Sequence, residues 1–374
     1  MLNEISDAIK IQDYKTAIRL LKPLLKKDPD DPWLQYYAGR VYEGTGKLES
    51  ARNIYFKLLP KTTNPKLMAQ IRQRIGRLEE IEKKEREQAI SLAKSQEGGT
   101  KPSLLILEPI ASQLKQEAAQ KFAKIVQLDP YIARLQLPSR GWRLYRTGSL
   151  GELRYLSSKL VEAKIPSFCE SLEAIDQLEV LEVNYFLSET LDVVARCQNQ
   201  DGQEGTIDFD WSEVDRWVEG RLPLFESVVT VDVKHKLQRK TQFQDYVYCV
   251  DLHLSSRNCI LRLCDRTYQF QQGLDFATPS DPTLAMVGGT VSQSWQKLTK
   301  FLRERLPHAD SYSDFTPFAE TALGFTEMLS RVKPRLDLKR RKETPWDSAF
   351  QLYSGLVFLR SPQPRDRHSP IPAS

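Results

Sequence analysis

The chain has 374 residues, of which 40% are hydrophobic and 28% are charged, and its formal net charge is +5. At about 150 residues per domain, this length predicts two or three domains, and the composition is ordinary for a globular protein. No stretch approaches the roughly 18 consecutive apolar residues of a membrane-spanning helix. The net charge is too small to argue by itself for a nucleic-acid partner.

The N-terminus and the cysteines indicate the compartment. Residues 1–7 contain acidic residues and no apolar core, so they do not form a secretory signal. We therefore expect a cytoplasmic protein, or one that is peripheral to a membrane on its cytosolic face. The number of cysteines is odd and there is no CxxC pair, so we expect buried free thiols. They are Cys169, Cys197, Cys249, Cys259 and Cys264.

A short pattern occurs twice near the N-terminus, at a spacing of 34 residues. The first copy is Asp13-Tyr14-Lys15-Thr16-Ala17 and the second is Lys47-Leu48-Glu49-Ser50-Ala51. This period is typical of a helix–turn–helix unit that stacks on its neighbours. Pro29, after a basic segment, predicts the end of a helix. Gly39 and Ala51 predict a close crossing of two helices, because a larger side chain would hold the helices apart.

The second copy resembles the tetratricopeptide repeat (TPR) family. The residues at the family's small and aromatic positions are Ala38, Gly39, Tyr42, Gly46, Ala51 and Tyr55. The chain departs from the family where Gln35 takes the place of a Trp, and the first copy matches well only in its second helix. The resemblance implies helical hairpins that bind a protein partner, and the alternative is an ordinary helical hairpin domain. The residues expected to face the partner are Gln35, Tyr36, Arg40 and Tyr42.

Residues 66–95 continue as one long helical pattern. Its apolar residues recur at steps of three and four, at Leu67, Ile71, Ile75, Leu78 and Ile81. Two and a half repeats are marginal for burying a continuous core, so we expect this helix to cap the array. The alternative is that its apolar stripe takes up a partner helix. We thus predict a TPR-like domain over 1–95, followed by a Gly- and Pro-containing linker at 96–102.

Residues 103–187 alternate between strands and helices, which predicts a small α/β module. The strands are expected at 103–107, 133–137, 142–146, 165–169 and 178–187. The helices are expected at 112–127, where Asp129-Pro130 would end the helix, and at 150–163, with a helical turn at 171–176.

Residues 188–360 predict a strand-rich α+β domain, and the Pro-, Ser- and Arg-rich segment 361–374 predicts a disordered tail. The strands are expected at 191–197, 205–209, 224–233, 245–254, 259–264 and 267–271. Helices are expected at 211–218, 290–306 and 315–332, with a last core-docking element near Trp346. The predicted fold class is α+β multidomain, with N-terminal TPR-like α-helical hairpins followed by a mixed α/β region. Residues 102–360 resemble uncharacterised TPR-containing proteins of oxygenic photosynthetic bacteria, and this resemblance implies no catalytic residue.

A basic and aromatic segment over 134–154 is the strongest candidate ligand site. The candidate anion-binding residues are Arg140, Arg143, Arg146 and Ser149. On a strand, Arg143 and Tyr145 would point one way and Leu144 the other. Glycines around Ser149 would leave backbone N–H groups free at a helix start, which suits a phosphate, and arginines beside aromatics could also stack on bases. The alternative is a solvated strand edge with interior aromatics.

Other charged groups give weaker signals. The basic run over 331–342 is expected to be a solvated loop, or else to contact an anionic membrane surface or RNA. Asp208, Asp210 and Glu213 could bind a metal or act as acid and base, or could simply favour a helix N-terminus. His253 is expected in the core or on the surface. No catalytic motif is visible, so we predict no catalytic residue, no metal and no cofactor.

The sequence therefore predicts a non-enzymatic adaptor or assembly factor that binds a protein partner through its TPR-like helices. The alternative is a ligand-sensing module that binds a nucleotide or another phosphate through 134–154. An enzyme whose residues converge from distant parts of the chain is a third hypothesis.

Overall fold

A computed structural model describes residues 2–189, 193–231, 237–274, 290–336, 338 and 343–360. The chain divides into two compact units, Met1–Leu92 and Ala93–Ser374, which we call unit 1 and unit 2. Unit 1 is helical and unit 2 contains two β-sheets with helices, so the protein is an α+β multidomain protein, as predicted.

Unit 1 consists of antiparallel helices joined by short turns. The helices are α1 (Leu2–Lys10), α2 (Tyr14–Lys27), α3 (Pro32–Gly44), α4 (Leu48–Leu58) and α5 (Pro65–Ser95), the last of which ends in unit 2. The backbone N–H of Thr16 donates to Asp13 at the start of α2, and that of Leu34 donates to Asp31 at the start of α3. These carboxylates satisfy amides that a helix start leaves unpaired.

The crossing of α3 and α4 confirms the close approach predicted from the small residues. A Cβ atom on Gly39 would lie 2.4 Å from the Tyr55 ring, and Ala51 is fully buried. Glycine is therefore required at position 39 because Tyr55 of α4 occupies the space that any side chain would need.

The apolar stripe of α5 closes the core of unit 1. Leu67, Ile71 and Leu78 are buried in one cluster with Tyr36 and Tyr55, which come from α3 and α4. The stripe is therefore packed within unit 1 at these three residues, and the role of the helix as the cap of a repeat array stays a prediction. The alternative, an open stripe for a partner helix, is wrong for these three residues.

Unit 2 begins with a small antiparallel sheet. Its strands are β1 (Pro102–Leu107), β2 (Arg143–Ser149) and β3 (Ser167–Ser171), in the order β2-β1-β3. The helices of this region are α6 (Lys115–Val126), α7 (Pro130–Gln136), α8 (Leu150–Glu162) and α9 (Leu172–Asp176). The strand predicted at 133–137 is wrong, because this segment lies in α7. The N–H groups of Tyr131 and Ile132 donate to Asp129, which with Pro130 starts a helix rather than ending one.

A seven-stranded mixed sheet follows. Its strands are β4 (Glu179–Ser188), β5 (Val193–Gln198), β6 (Glu204–Phe209), β7 (Arg216–Val231), β8 (Leu237–Leu254), β9 (Cys259–Cys264) and β10 (Asp310–Tyr312). The order is β10-β7-β8-β9-β4-β5-β6, in which the pairs β10–β7 and β9–β4 are parallel and the other pairs are antiparallel. The helices are α10 (Val291–Arg305), α11 (Phe315–Ala322), α12 (Thr326–Leu329) and α13 (Pro345–Leu359).

Helices lie on both faces of the large sheet. On one face, Trp295, Leu298 and Leu302 of α10 pack on the sheet. On the other face, α11 and α13 contribute to a core that includes residues of both sheets, for example Leu144 of β2 and Val218 of β7. A third cluster joins the outer face of the small sheet to α6, α7 and α8. We predicted that residues 103–187 and residues 188–360 form two separate domains. That each of them folds independently stays a prediction.

Three further predicted elements of unit 2 are wrong. The helix expected at 211–218 is a 3₁₀ turn at Trp211–Glu213, after which the chain enters β7. Trp217 and Val218 face different sides of the sheet, and an apolar run that is buried on both faces does not distinguish strand from helix. The helix expected at 315–332 breaks between α11 and α12. Residues 267–271 form turns rather than a strand. Residues 191–192 and 232–233, which we predicted as strand, and residues 361–374, which we predicted as a tail, lie outside the described residues.

The cysteines also differ from expectation. Cys249 and Cys264 are direct neighbours on β8 and β9 and form a disulfide, so the prediction of free thiols is wrong for this pair. Cys169, Cys197 and Cys259 are free, and burial raises the pKa of each to about 12. Their thiolate forms are therefore scarce at neutral pH, which makes these thiols poor nucleophiles.

Candidate functional site

A polar cluster lies between α3 and α5 in unit 1. One carboxylate oxygen of Glu43 is 3.4 Å from Arg74 Nη1 and 3.7 Å from Arg77 Nε. The Tyr55 hydroxyl donates to the other oxygen at 3.2 Å. Arg74 also hydrogen-bonds the side chain of Tyr36. Glu43, whose side chain is only 10% exposed, is thus held by three partners on neighbouring helices.

The pKa shifts in this cluster preserve its charge pattern. Burial raises the pKa of Tyr55, Glu43 raises it further, and Arg40 opposes the shift. Burial lowers the pKa of Arg74, but the hydrogen bond to Tyr36 and the charge of Glu43 outweigh burial, so the pKa is raised. Tyr55 therefore stays neutral and Arg74 stays charged at physiological pH.

Positive charge exceeds negative charge at this cluster. A single carboxylate, that of Glu43, lies among Arg74, Arg77 and the nearby Arg40. The side chain of Arg77 is 62% exposed and that of Arg74 is 21% exposed, so guanidinium groups reach solvent. A guanidinium group presents a planar fork of donors that matches a carboxylate. The cluster, which we call the α3–α5 arginine cluster (Arg40, Glu43, Arg74, Arg77), therefore presents guanidinium donors of the kind that bind carboxylates.

The four predicted partner-facing residues all lie on α3 but on two different faces. At about 100° per residue, Gln35 and Tyr42 share one face, and Tyr36 and Arg40 share another. The Gln35 amide donates to the Pro29 carbonyl at 2.8 Å. Tyr42 is 37% exposed, with the Lys47 ammonium 5.9 Å from its ring. Both side chains thus contact the turns that flank α3.

The second face of α3 is the one that meets the arginine cluster. Tyr36 is only 4% exposed and packs on Tyr55, whereas Arg40 is half-buried. A partner-binding role for these residues stays a prediction. Sequence reasoning missed Arg74 and Arg77, although the signal was present: they follow Arg40 and Glu43 at the same 34-residue period that reveals the repeat.

Contacts within unit 2 use the backbone N–H groups that follow Ser149, and an anion-binding role of this site stays a prediction. The backbone N–H groups of Leu150 and Gly151 donate to the carbonyls of Lys101 and Gly99 at 2.9 and 2.8 Å, so the prediction that they are free is wrong. A Cβ atom on Gly151 would lie 2.4 Å from the Ala93 carbonyl oxygen. Glycine is therefore required there for close packing of the backbone rather than for a phosphate.

The three arginines of the predicted anion site do not converge. Arg146 pairs with Glu152 at 3.2 Å, Arg143 donates to the Leu135 carbonyl at 3.3 Å, and Arg140 is exposed in the preceding loop. The predicted orientation of β2 is confirmed, because Tyr145 and Leu144 pack into clusters on opposite faces of the sheet.

The acidic group on β6 and the following turn serves as a cap. The Ser212 N–H donates to Asp210 at 2.8 Å, and the Glu213 carboxylate accepts from the Asp210 N–H at 2.9 Å. Arg257 donates twice to Glu213 at 2.6 Å and lowers its pKa. The interpretation of these acids as a helix-start group is thus confirmed for Asp210 and Glu213. Within the described ranges, no three His, Cys, Asp or Glu side chains are placed to hold a metal.

Unit 2 contains a fully buried polar network that sequence reasoning missed. Arg262 of β9 donates to both carboxylate oxygens of Asp251 on β8, at 2.9 and 2.7 Å, and both side chains are 0% exposed. His253 Nε2 lies 3.0 Å from the Ser354 hydroxyl of α13. Arg216 donates to the carbonyls of residues 357 and 358 at the end of α13. The network therefore fixes α13 on the sheet.

Burial decides against a catalytic role for the His253–Ser354 pair. Both residues are 0% exposed, so a substrate has no access to them in this structure. Burial, reinforced by Arg216 and Arg262, holds the pKa of His253 well below its usual value. His253 is thus a neutral residue of the core. The sequence predicted that it lies either in the core or on the surface, and the core position is confirmed.

Two arginines of the predicted basic run have partners within unit 2. Arg331 pairs with Glu327 at 2.7 Å, and Arg335 pairs with Asp176 at 3.1 Å. Residues 337 and 339–342 of the run lie outside the described residues. Contact of this run with an anionic membrane surface or RNA stays a prediction.

Comparison with known proteins supports a TPR-like N-terminal part. The model of the family described as tetratricopeptide repeat matches residues 8–75, which span the end of α1 to the first turns of α5. No curated protein and no solved structure matches the chain. The similarity of the remaining residues to proteins of photosynthetic bacteria stays a prediction. In the part of the chain that is described, no helix is long and apolar enough to cross a membrane.

Proposed function

We propose that this protein is a non-enzymatic adaptor or assembly factor that acts in the cytoplasm and binds a protein partner through its TPR-like helices. The observation that carries the proposal is the match of residues 8–75 to the tetratricopeptide repeat family. Stacked helical repeats present an extended surface to another polypeptide and contain no catalytic group of their own. The α3–α5 arginine cluster is the part of that surface with unused hydrogen-bonding capacity, because Glu43 neutralises only one of its charges.

The charge of unit 1 indicates the chemistry of the partner. Residues 1–92 contain 18 Lys and Arg against 13 Asp and Glu, which accounts for the whole net charge of the chain. A partner segment that carries carboxylates would be attracted to this unit and could be bound by the forks of Arg40 and Arg77. We therefore propose an acidic segment of a protein as the ligand of the α3–α5 arginine cluster.

Co-purification with the full-length protein from its native host tests the proposal. The double variant Arg40→Glu/Arg77→Glu reverses two charges of the cluster, and Arg72→Glu reverses an exposed charge on another face of α5. We expect the wild type and Arg72→Glu to recover the same partner, and the double variant to recover at least about tenfold less. Equal recovery by all three proteins, or no partner of the wild type above background, would contradict the proposal.

A further inference from the structure

A patch of exposed apolar side chains lies on α7 in unit 2. Tyr131 is 72% exposed, Leu135 is 59% exposed and Ile132 is 47% exposed. At about 100° per residue these three side chains lie within one 100° arc, and Ala133, on the opposite side of the helix, is fully buried. Leu128, directly before α7, is 37% exposed. We call Leu128, Tyr131, Ile132 and Leu135 the α7 patch.

The helix that carries the patch is fixed to the rest of unit 2. Its start is capped by Asp129, which accepts from the Tyr131 N–H at 2.8 Å. The buried side of α7 packs through Ala133 into the cluster that joins the small sheet to α6, α7 and α8. Its end is held by Arg143, which donates to the Leu135 carbonyl at 3.3 Å. The apolar face is therefore presented outward by a held helix, and its exposure does not result from an unpacked end.

Basic side chains lie beside the α7 patch and near the C-terminal end of α7. Arg134 is exposed on α7 itself, Arg143 contacts its last turn, and Lys115 reaches the following loop at Ser139 Oγ, 2.8 Å away. Between positions 112 and 146 the chain contains seven basic and two acidic residues. One of the two acids, Asp129, is engaged as the cap of α7. An apolar centre with a cationic margin thus faces solvent.

We propose that the α7 patch docks unit 2 onto the surface of an anionic lipid bilayer. The patch exposes roughly 400 Å², which is in the range of the largest apolar patch on a typical monomer, and such patches are often functional. That is about half of the ~800 Å² that each partner contributes to a stable protein interface. A bilayer requires less area, because a tyrosine and three aliphatic side chains can enter the headgroup boundary while the basic margin is attracted to anionic headgroups. This docking site is independent of the partner site proposed for unit 1.

Vesicle flotation with the full-length protein tests this inference. The probes are vesicles of phosphatidylcholine alone and of phosphatidylcholine mixed with phosphatidylserine. We expect binding to the mixed vesicles that weakens with salt, and little binding to phosphatidylcholine. Ile132→Ser/Leu135→Ser should reduce binding by about tenfold or more, and Arg134→Glu by more than about fivefold, since each basic residue near an anionic surface contributes about that factor.

Val161→Ser is the matched control, because Val161 is a similarly exposed aliphatic residue (55%) on α8. It should bind the mixed vesicles as the wild type does, and all variants should keep the thermal midpoint of the wild type, since the changes are at the surface. The inference is overturned if the wild type does not bind the mixed vesicles, or if the α7 variants bind them as well as Val161→Ser does. It is also overturned if the wild type sediments as a dimer that Ile132→Ser/Leu135→Ser converts to monomer, since a second copy would then occupy the patch.

Discussion

The two units place their polar groups in opposite ways. In unit 1 the α3–α5 arginine cluster lies at the surface, with the Arg77 side chain 62% exposed. In unit 2 the best-paired charges, Asp251 and Arg262, are 0% exposed and lie between the large sheet and α13. Exposed guanidinium groups keep part of their hydrogen-bonding capacity for another molecule, whereas a buried pair uses that capacity to hold the fold. Polar residues of the same types thus serve architecture in unit 2, and we propose that they serve recognition in unit 1.

The largest effect is expected when one partner of the buried pair is removed. Asp251→Ala leaves the Arg262 guanidinium buried without its carboxylate, and we expect a loss of about 3–5 kcal/mol in the free energy of unfolding. Replacement of both partners in Asp251→Leu/Arg262→Met should cost much less, because no buried charge remains. Denaturant unfolding monitored by circular dichroism measures both. If the single variant is as stable as the wild type, the pair does not hold the fold.

The helix crossing in unit 1 gives the next largest effect. Gly39→Ala places a Cβ atom 2.4 Å from the Tyr55 ring, so overpacking of about 1–3 kcal/mol should exceed the ~1 kcal/mol that alanine adds to helix propensity. Gly76→Ala on α5 is the matched control, since a Cβ atom there meets nothing within 4 Å. We expect Gly39→Ala to lower the thermal midpoint and Gly76→Ala to raise it. A stabilised Gly39→Ala variant would show that the crossing is looser than described.

A smaller effect concerns pH and distinguishes the buried His253 from an exposed one. Its pKa in the folded protein is lowered by burial, so below the unfolded value of about 6.5 the unfolded state binds more protons and stability falls as pH falls. Between pH 6.5 and 5.5 the loss should be about 1 kcal/mol, and it should be absent from His253→Gln. Asp265 changes the stability in the opposite direction, because burial raises its pKa to about 6. The wild type and His253→Gln must therefore be compared at each pH. Identical pH dependence of the two proteins would place His253 in contact with water.

Much of the fold could be predicted from local patterns. β9 has the predicted bounds, and the repeat period located the α3–α4 crossing, because both signals lie within short segments. The strand predicted at 133–137 failed because Asp129-Pro130 was interpreted as the end of a helix, although the same pair is a strong helix start. Local alternation of apolar and polar residues was then given too much weight.

The sites were harder to predict than the fold. Asp251 and Arg262 pair across two strands, and Ser354 joins His253 from a helix that is 101 residues further along the chain. Nothing in the sequence around these residues indicates that they share a face, because the sheet order sets that. Arg74 could have been found, since it repeats the position of Arg40 at the period of the helical hairpins.

The contrast between the two units is tested most directly by one variant, Arg40→Glu/Arg77→Glu. Both its stability and its recovery of the partner are measured. We predict that its free energy of unfolding falls by no more than about 1 kcal/mol, because Arg77 is exposed, Arg40 is only half-buried and Arg74 still pairs with Glu43. Recovery of the partner from the native host should fall at least about tenfold. A variant that loses several kcal/mol of stability while it still recovers the partner in full would show that the α3–α5 arginine cluster serves the fold, and would contradict the account.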